Sequence, residues 1–405
     1  MDTTLQTIRR ALSNKLRTRV GLLLFLIISL LAIFGVLETY SSSGFIREQA
    51  IFNLLNVLIF LGISTVSSSF WKKVSWPMYF ICIMFLPLTL QFGIEIRGAT
   101  RWLKMGKLWL NMSYLSIISV ILLASTMVDN WQQHGMSFKH CLYLVAVVAI
   151  PTILLFMQSS AALGILLVAV CLLILFVADV KIHHLLIVFT LLSFIGVFEL
   201  VNHWRLYATR ISAFINPQVD PLGCGYQPLR SFIAIKSGGI LGKGFCKGTA
   251  KTYVPFFQTD FVFAGICEEF GLWGGIILIL LYFLLFLIGW RIFLRYTKAT
   301  FEKYITVGIS IFFLVLPFFH VGANLLLLPP HSAMLPFISH SRWVEPSFGL
   351  GWGIIASCIS QYLPKNKIDS PRYKLVLAGV FFAMMLLVLR LFQFQVLSHK
   401  SQMFP

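Results

Sequence analysis

An all-α polytopic membrane protein is the fold class this sequence predicts, and three observations carry the prediction. Hydrophobic residues make up 58% of the 405-residue chain and charged residues only 11%, against roughly 25% charged residues in soluble domains. Apolar runs of about the 20 residues needed to cross a bilayer recur along the whole length. Lys and Arg gather in alternate connections between those runs. A net charge of +18 suits a nucleic-acid binder, but no basic helix, finger or stacking platform accompanies it. No nucleic acid is expected; membrane topology and an anionic ligand account for the charge instead.

The apolar runs lie near 20–40, 50–69, 75–93, 111–128, 141–159, 161–178, 183–201, 261–290, 303–328 and 346–363. That makes about ten transmembrane helices, with an eleventh candidate at 374–397. Residues 1–363 read as one transmembrane domain, and 364–405 as a basic connection with a C-terminal apolar segment. Arg9, Arg10, Lys15, Arg17 and Arg19 precede the first span and place the N-terminus in the cytoplasm by the positive-inside rule. No small-residue cleavage site follows, so the start does not read as a cleavable signal. Lys72, Lys73, Lys181, Arg291, Arg295, Lys298, Lys303, Lys365, Lys367, Arg372 and Lys374 then fall on that same side. Arg390 sits inside the last apolar run, where a charge is costly unless it snorkels or meets a partner. It leaves the side of the C-terminus open.

Two loops on the opposite side break the charge rule. The 94–110 loop holds Arg97, Arg101, Lys104 and Lys107 against Glu95. The large 202–260 loop, between spans seven and eight, sets Arg205, Arg210, Arg230, Lys236, Lys243, Lys247 and Lys251 against Asp220 until Asp260 arrives. Long loops translocate whatever their charge, which covers the larger loop but not the shorter. A shared anion site built by both is expected. Seven cysteines show no metal-like spacing. Cys82, Cys171, Cys267 and Cys358 read as small hydrophobes in apolar runs, whereas Cys224 and Cys246 share the large loop and pair only if it faces an oxidising space.

Asp260 opens an apolar run, where a carboxylate also serves as an ordinary first-turn residue. The alternative is a general base delivered to the membrane boundary. Counted along one helix, Glu268 lies about 80° around from Asp260 and Glu269 about 180°. Glu268 is accordingly expected to line the cavity and Glu269 to meet a neighbouring helix, with a packing role for both the competing reading. Gly238, Gly239, Gly242, Gly244 and Gly248 permit tight turns and close ligand approach, but their spacing is not that of a Walker A loop. Lys243, Lys247 and Lys251 among them suit a diphosphate as point charges. Arg101 offers a planar fork, and Trp102 either a flat face for a sugar ring or an interfacial anchor.

Several motifs resemble the SEDS family (shape, elongation, division and sporulation), the RodA/FtsW type of peptidoglycan polymerase. Gly98-Ala99-Thr100-Arg101-Trp102-Leu103 is similar to its G-A-x-R-W-[IL] loop. Asp220-Pro221-Leu222-Gly223-Cys224-Gly225-Tyr226, Ser231 and the Ser237–Gly244 stretch match its central core. Thr259-Asp260-Phe261-Val262-Phe263-Ala264, Glu268-Glu269-Phe270-Gly271 and Leu335-Pro336-Phe337-Ile338-Ser339 match three further motifs. The likeness covers about residues 20–363. Departures are several. Phe256 and Gln258 replace a Glu and a His, Asn111-Met112-Ser113-Tyr114 replaces Q-P-S-E, and His320 replaces an Asn. Ala161-Ala162-Leu163-Gly164 stands for P-D-L-G and loses an acid, and His340-Ser341-Arg342-Trp343 replaces glycines.

The resemblance implies a membrane glycosyltransferase that polymerises lipid II, an undecaprenyl-diphosphate-linked disaccharide-pentapeptide. It implies Asp260 as the catalytic base, with Arg101, Trp102, Lys243, Lys247, Ser231, Glu268 and Ser339 around the substrate. A class B penicillin-binding protein transpeptidase, other elongation or division proteins and membrane lipid are the implied partners. A divalent cation, Mg or Mn, is an open cofactor, although no ligand cluster is visible. The implied location is the bacterial inner membrane. Two other readings stay open: a flippase for the same lipid, and a scaffold without activity. Gly248-Thr249 after the Gly-Lys-Gly run leans to the elongation branch, and Tyr40–Ser43 with Gly225-Tyr226-Gln227 to the division branch.

Overall fold

The computed structural model describes residues 2–42, 46–96, 99–105, 108–134, 136–294, 300–340, 346–359 and 370–397. Helices α1 (Asp2–Ser42), α2 (Ile46–Ser64) and α3 (Ser68–Phe92) lead into strands β1 (Ile94–Ile96), β2 (Ala99–Met105) and β3 (Leu108–Leu110). Helices α4 (Ser113–His134), α5 (Phe138–Met157), α6 (Ala161–Val177) and α7 (Ile182–Asn202) follow. The large loop carries α8 (Trp204–Ile215), α9 (Tyr226–Gly238) and two single turns, α10 (Ala250–Tyr253) and α11 (Phe257–Asp260). Last come α12 (Val262–Phe293), α13 (Phe301–Asn324), α14 (Pro346–Cys358) and α15 (Pro371–Phe392), the last extended by a π-helical turn over Gln393–Leu397.

Among the described residues, nine helices are long and apolar enough to cross a membrane, and Pro371–Leu397 is one of them. The eleventh candidate is therefore a full-length apolar helix. Two of the expected ten spans fall short. Helix α6 has 17 residues, ~26 Å at the usual helical rise. Helix α14 has 13, and residues 360–363 of that expected span lie outside the described residues. The 94–110 loop is also more ordered than its sequence suggests. It folds as a three-stranded antiparallel sheet, with Ile94 opposite Trp102 and Leu103 opposite Leu110.

Helices α4 and α13 form the centre and are the most deeply buried of the long spans. Small hydroxyls suit α4 to that place because they bond to their own helix. Ser116 donates to Ser113 O (2.7 Å), Ser119 to Ser116 O (2.7 Å), Ser125 to Ile121 O (2.7 Å) and Thr126 to Leu122 O (3.0 Å). Close helix packing then leaves no hydroxyl of this set unmet in an apolar interior. Helices α7 and α15 turn most of their apolar surface outward, as lipid-facing helices do.

Polar contacts sort the helix ends onto two faces. On one, Lys72 pairs with Asp129 (2.6 Å) and Ser68 donates to Glu302 (2.8 Å). There too Lys303 donates to Tyr373 (2.9 Å), and Arg372 to the carbonyls of Phe176 (3.0 Å) and Val180 (2.9 Å). On the other face lie the sheet, the α5–α6 turn and the α8–α11 segment. Helix α15 starts beside the first residues of α13 and ends against α9, where Gln395 donates to Ile235 O (3.2 Å) and Cys267 O (3.0 Å). Arg390 thus reaches the far end of the bundle. It donates to Leu325 O (3.3 Å) and Gln393 (2.8 Å) and lies 4.4 Å from the Phe394 ring centre.

This arrangement sets Lys181 and Lys247, both exposed, at opposite ends of the bundle. In a Cys224→Ser, Cys246→Ser background, Lys181→Cys and Lys247→Cys should label with an impermeant thiol reagent from opposite sides of the membrane. Labelling of both in intact cells would refute the two-face arrangement.

Candidate active site

Helix α12 is broken near its start. Gly271 adopts φ 65°, ψ −158°, a region open to glycine and strained for other residues. The break frees carbonyls that the glycine-rich segment then meets. Lys243 N donates to Glu268 O (2.9 Å), Gly244 N to Glu269 O (3.0 Å), and Leu272 N to Gly239 O (2.9 Å). Gly242, at φ 79°, sits so close that an added Cβ would lie 2.2 Å from Glu269 O. These glycines serve chain-to-chain packing.

The side chains of Glu268 and Glu269 fasten the same junction. Both residues are buried, at 1% and 3% exposure. Glu268 accepts from Lys243 Nζ (2.5 Å), Thr249 Oγ1 (2.8 Å) and Ala250 N (2.8 Å). Glu269 accepts from Cys246 N (3.0 Å), Gly248 N (3.2 Å), Lys251 Nζ (3.3 Å) and Ser41 Oγ of α1. Buried carboxylates persist only when paired and hydrogen-bonded in this way. Contrary to the helical-wheel expectation, Glu268 faces the loop and not a substrate cavity.

The wheel fails because Asp260 is not on α12. Phe261 (φ −127°, ψ 21°) separates α12 from the single turn α11, which ends at Asp260. That turn begins from Phe256 in the left-handed region (φ 57°), whose carbonyl accepts from Asp260 N (2.9 Å). Three outside groups hold the turn by its backbone. Asn324 Nδ2 donates to Asp260 O (3.0 Å), Ser339 Oγ to Thr259 O (2.8 Å) and His340 N to Gln258 O (2.8 Å). Ser231 in turn donates to Asn324 Oδ1 (3.4 Å). Ser231 and Ser339, expected at the substrate, are both buried and carry the Asp260 turn instead.

Arg101 lies on β2, with Trp102 on the opposite face of the strand. Trp102 is half-buried against the apolar core. Arg101 Nε donates to Gln158 O (3.0 Å), and its two terminal nitrogens donate to Ser159 O and Ser332 Oγ. Gln158 is itself fixed, donating to Leu86 O (3.0 Å) and Thr89 Oγ1 (2.5 Å). Arg101 lines a shallow recess with room for about one water, together with Arg210, the first turn of α6 and His331–Ala333. Burial pulls both guanidiniums below their ordinary pKa, while the Asp260 charge opposes that fall at each.

The structure therefore brings Arg101 into the electrostatic reach of Asp260. Lys243, expected to share an anion with Arg101, is committed to Glu268, because a buried carboxylate competes for the nearest cation. Lys247 is exposed. Cys224 and Cys246 are both free thiols. Asn324, His331 and Gln158 carry no signal in the sequence that marks them as a group, and Arg210 stands there only as one of seven basic residues in the large loop. Asn324 had one visible signal, a polar side chain one helical turn beyond His320 in an apolar run.

Residues 14–341 match the FtsW/RodA/SpoVE family of cell cycle proteins. A probable peptidoglycan glycosyltransferase FtsW of Legionella pneumophila is 30% identical over 306 residues, 73% of this chain and 76% of that one. Peptidoglycan glycosyltransferase MrdB of Escherichia coli K12 is 29% identical over 343 residues, 82% of this chain and 92% of its own. Among solved structures, a chain from a peptidoglycan synthase complex superposes with a TM-score of 0.67 at 20% identity, covering 84% of this chain and 97% of that one. Fold and site thus define an all-α polytopic membrane protein with one carboxylate acting electrostatically on two arginines. The chain belongs to the FtsW/RodA/SpoVE family.

Removing the Glu269 carboxylate leaves two loop amides without their acceptor and Lys251 without its counter-charge. Glu269→Ala should cost ~3–5 kcal/mol, the scale of breaking a buried pair, and Glu269→Gln less. Thermal unfolding in detergent measures this. An alanine variant that melts with the wild type would show that the carboxylate does not fasten the loop.

Proposed function

We propose that this membrane protein is an inverting peptidoglycan glycosyltransferase that polymerises lipid II during elongation or division. The observation that carries the reading is Asp260, fixed through its backbone, half-exposed and within electrostatic reach of two half-buried guanidiniums. The activity named for the family relatives supports it. Asp260 takes the proton from the acceptor's 4-hydroxyl as that oxygen attacks the donor's anomeric carbon. The bond from that carbon to the diphosphate oxygen breaks, and its electron pair leaves with the diphosphate. Arg101 stabilises the charge that develops there, the usual task of a preorganised donor. Trp102, on the opposite face of the same strand and packed against the apolar core, is assigned to anchoring the strand. Lys243 is held by Glu268 in the loop that frames the site, and Lys247, exposed on that loop, keeps its assignment to the anion.

The membrane is the bacterial inner membrane, with the N-terminus cytoplasmic. Lys72, Lys181, Arg372 and Lys374 lie on the face opposite Asp260, as the positive-inside rule requires if Asp260 faces outward. The growing strand passes to a class B penicillin-binding protein transpeptidase, and other elongation or division proteins complete the assembly. One similar structure comes from a peptidoglycan synthase complex that coordinates polymerization and crosslinking. The donor set lining the cavity is guanidinium, hydroxyl, imidazole and helix amide. That set does not fit a protein-held Mg or Mn ion, which takes carboxylate and carbonyl oxygens. A flippase needs a polar path through the spans, and the central hydroxyls of α4 are bonded to their own helix.

Asp260→Asn keeps the shape of the side chain and removes its basicity. In proteoliposomes with lipid II and a transpeptidase partner, glycan polymer should fall at least ~100-fold. Expression should hold, because the clamps act on backbone atoms. Retention of most activity would remove Asp260 from the chemistry.

A further inference from the structure

Helix α15 begins after residues 14–341, the part of the chain that the family match covers. An apolar helix facing lipid needs neither an arginine nor a buried glutamine, and both are costly at membrane depth. In α15 and its π-helical turn, both go to the ends of other helices. Arg390 Nε donates to Leu325 O (3.3 Å), the first carbonyl beyond α13. A cation there meets the negative end of the helix dipole and a carbonyl without an intrahelical donor. Gln395 is 1% exposed. Its Nε2 donates to Ile235 O (3.2 Å) in the last turn of α9 and to Cys267 O (3.0 Å) of α12.

Packing fixes the register that these bonds need. Leu387 and Leu391 are buried. A Cβ added at Gly275 of α12 would lie 2.6 Å from Leu391 Cδ2, so the glycine makes room for that side chain. Phe394 meets Phe232 of α9 edge-on, with ring centres 4.6 Å apart, and Arg390 lies over the Phe394 ring. At the opposite end of the bundle, Tyr373 accepts from the buried Lys303 (2.9 Å) and packs against Phe293. Helix α15 is thus tied down at both ends.

The carbonyls it grips converge on the clamp that holds Asp260. Leu325 adjoins Asn324, whose amide donates to Asp260 O. Ile235 lies one helical turn from Ser231 on the same face of α9, and Ser231 donates to Asn324 Oδ1. Gly238 brings α9 so close to α12 that an added Cβ would lie 1.9 Å from Cys267 O.

We infer that Arg390 and Gln395 are positioning residues for Asp260: they brace the ends of α9 and α13 against α12, and Ser231 and Asn324 pass that constraint to the Asp260 turn. The effect on turnover rests on the glycosyltransferase reading; the brace itself does not.

The test pairs amide hydrogen exchange with turnover, both on the full chain in nanodiscs. Gln395→Met and Arg390→Met keep an unbranched side chain that packs in an apolar setting and remove the donors. Each should speed exchange of the Thr259 and Asp260 amides at least ~10-fold while α4 stays protected, as a local opening does. With lipid II and a transpeptidase partner, each should lower kcat at least ~10-fold at nearly unchanged KM, because a displaced base costs rate. Arg390→Lys should recover part of the loss by keeping a cation at the end of α13. The double variant should lose less than the product of the single losses, since both residues act on one turn. Wild-type exchange at Thr259 and Asp260 in both methionine variants, or faster exchange spread equally over α4, overturns the brace. A loosened turn with wild-type kcat, or a loss confined to KM, overturns the positioning role. A wild-type protein that makes no glycan from lipid II would sink the glycosyltransferase reading, and the exchange result would still decide the brace.

Discussion

Two carboxylates buried at the broken start of α12 impose the constraint on which the outer half of the molecule depends. Glu268 and Glu269 sit where the helix enters apolar surroundings, and each needs several donors to remain there. Their own helix cannot supply these, because Gly271 interrupts it. The glycine-rich segment supplies them twice over: its amides and lysines meet the carboxylates, and its backbone meets the freed carbonyls. Ser41 brings α1 into the same junction. Once the segment is fastened, the short chain from α10 to α11 has little freedom, and Asp260 follows from it.

Asp260 is then placed by contacts to the backbone of its own turn. Asn324, Ser339 and His340 grip the backbone from two other parts of the chain. The Asp260 charge is felt at both Arg101 and Arg210. The backbone grip explains why serines that look functional in a motif, Ser231 and Ser339, are buried behind the turn. Their hydroxyls fix geometry, and substitution there would act through Asp260.

The excess positive charge of the outer loops divides into two populations with different physics. Lys243 and Lys251 are matched by Glu268 and Glu269 and form a neutral fastening. Arg101 and Arg210 border a cavity without a lining carboxylate, and Asp260 acts on both from outside it. Desolvation makes that second set costly to hold.

Hydropathy and the Lys/Arg distribution were enough to read the spans, their alternation and the crowded outer face, because burial in lipid is an additive property of consecutive residues. The T-D-F-V-F-A motif marked Asp260 by resemblance, although composition alone left it an ordinary helix start. Other features depended on which segments meet. The sheet at 94–110, the helices inside the large loop, and the pairing of Lys243 with Glu268 have no local periodic signal. Arg210, His331 and Ser160 lie far apart in the chain and meet only where α6, α8 and the segment after α13 converge. Glu268 and Asp260 show the same limit from the other side. A wheel drawn through one helix related them, but a single non-helical residue, Phe261, and the carbonyls freed at Gly271 turned them to different tasks. The chain's chemistry along the membrane normal was thus local and legible, while the partner of each charge was a matter of three-dimensional contact.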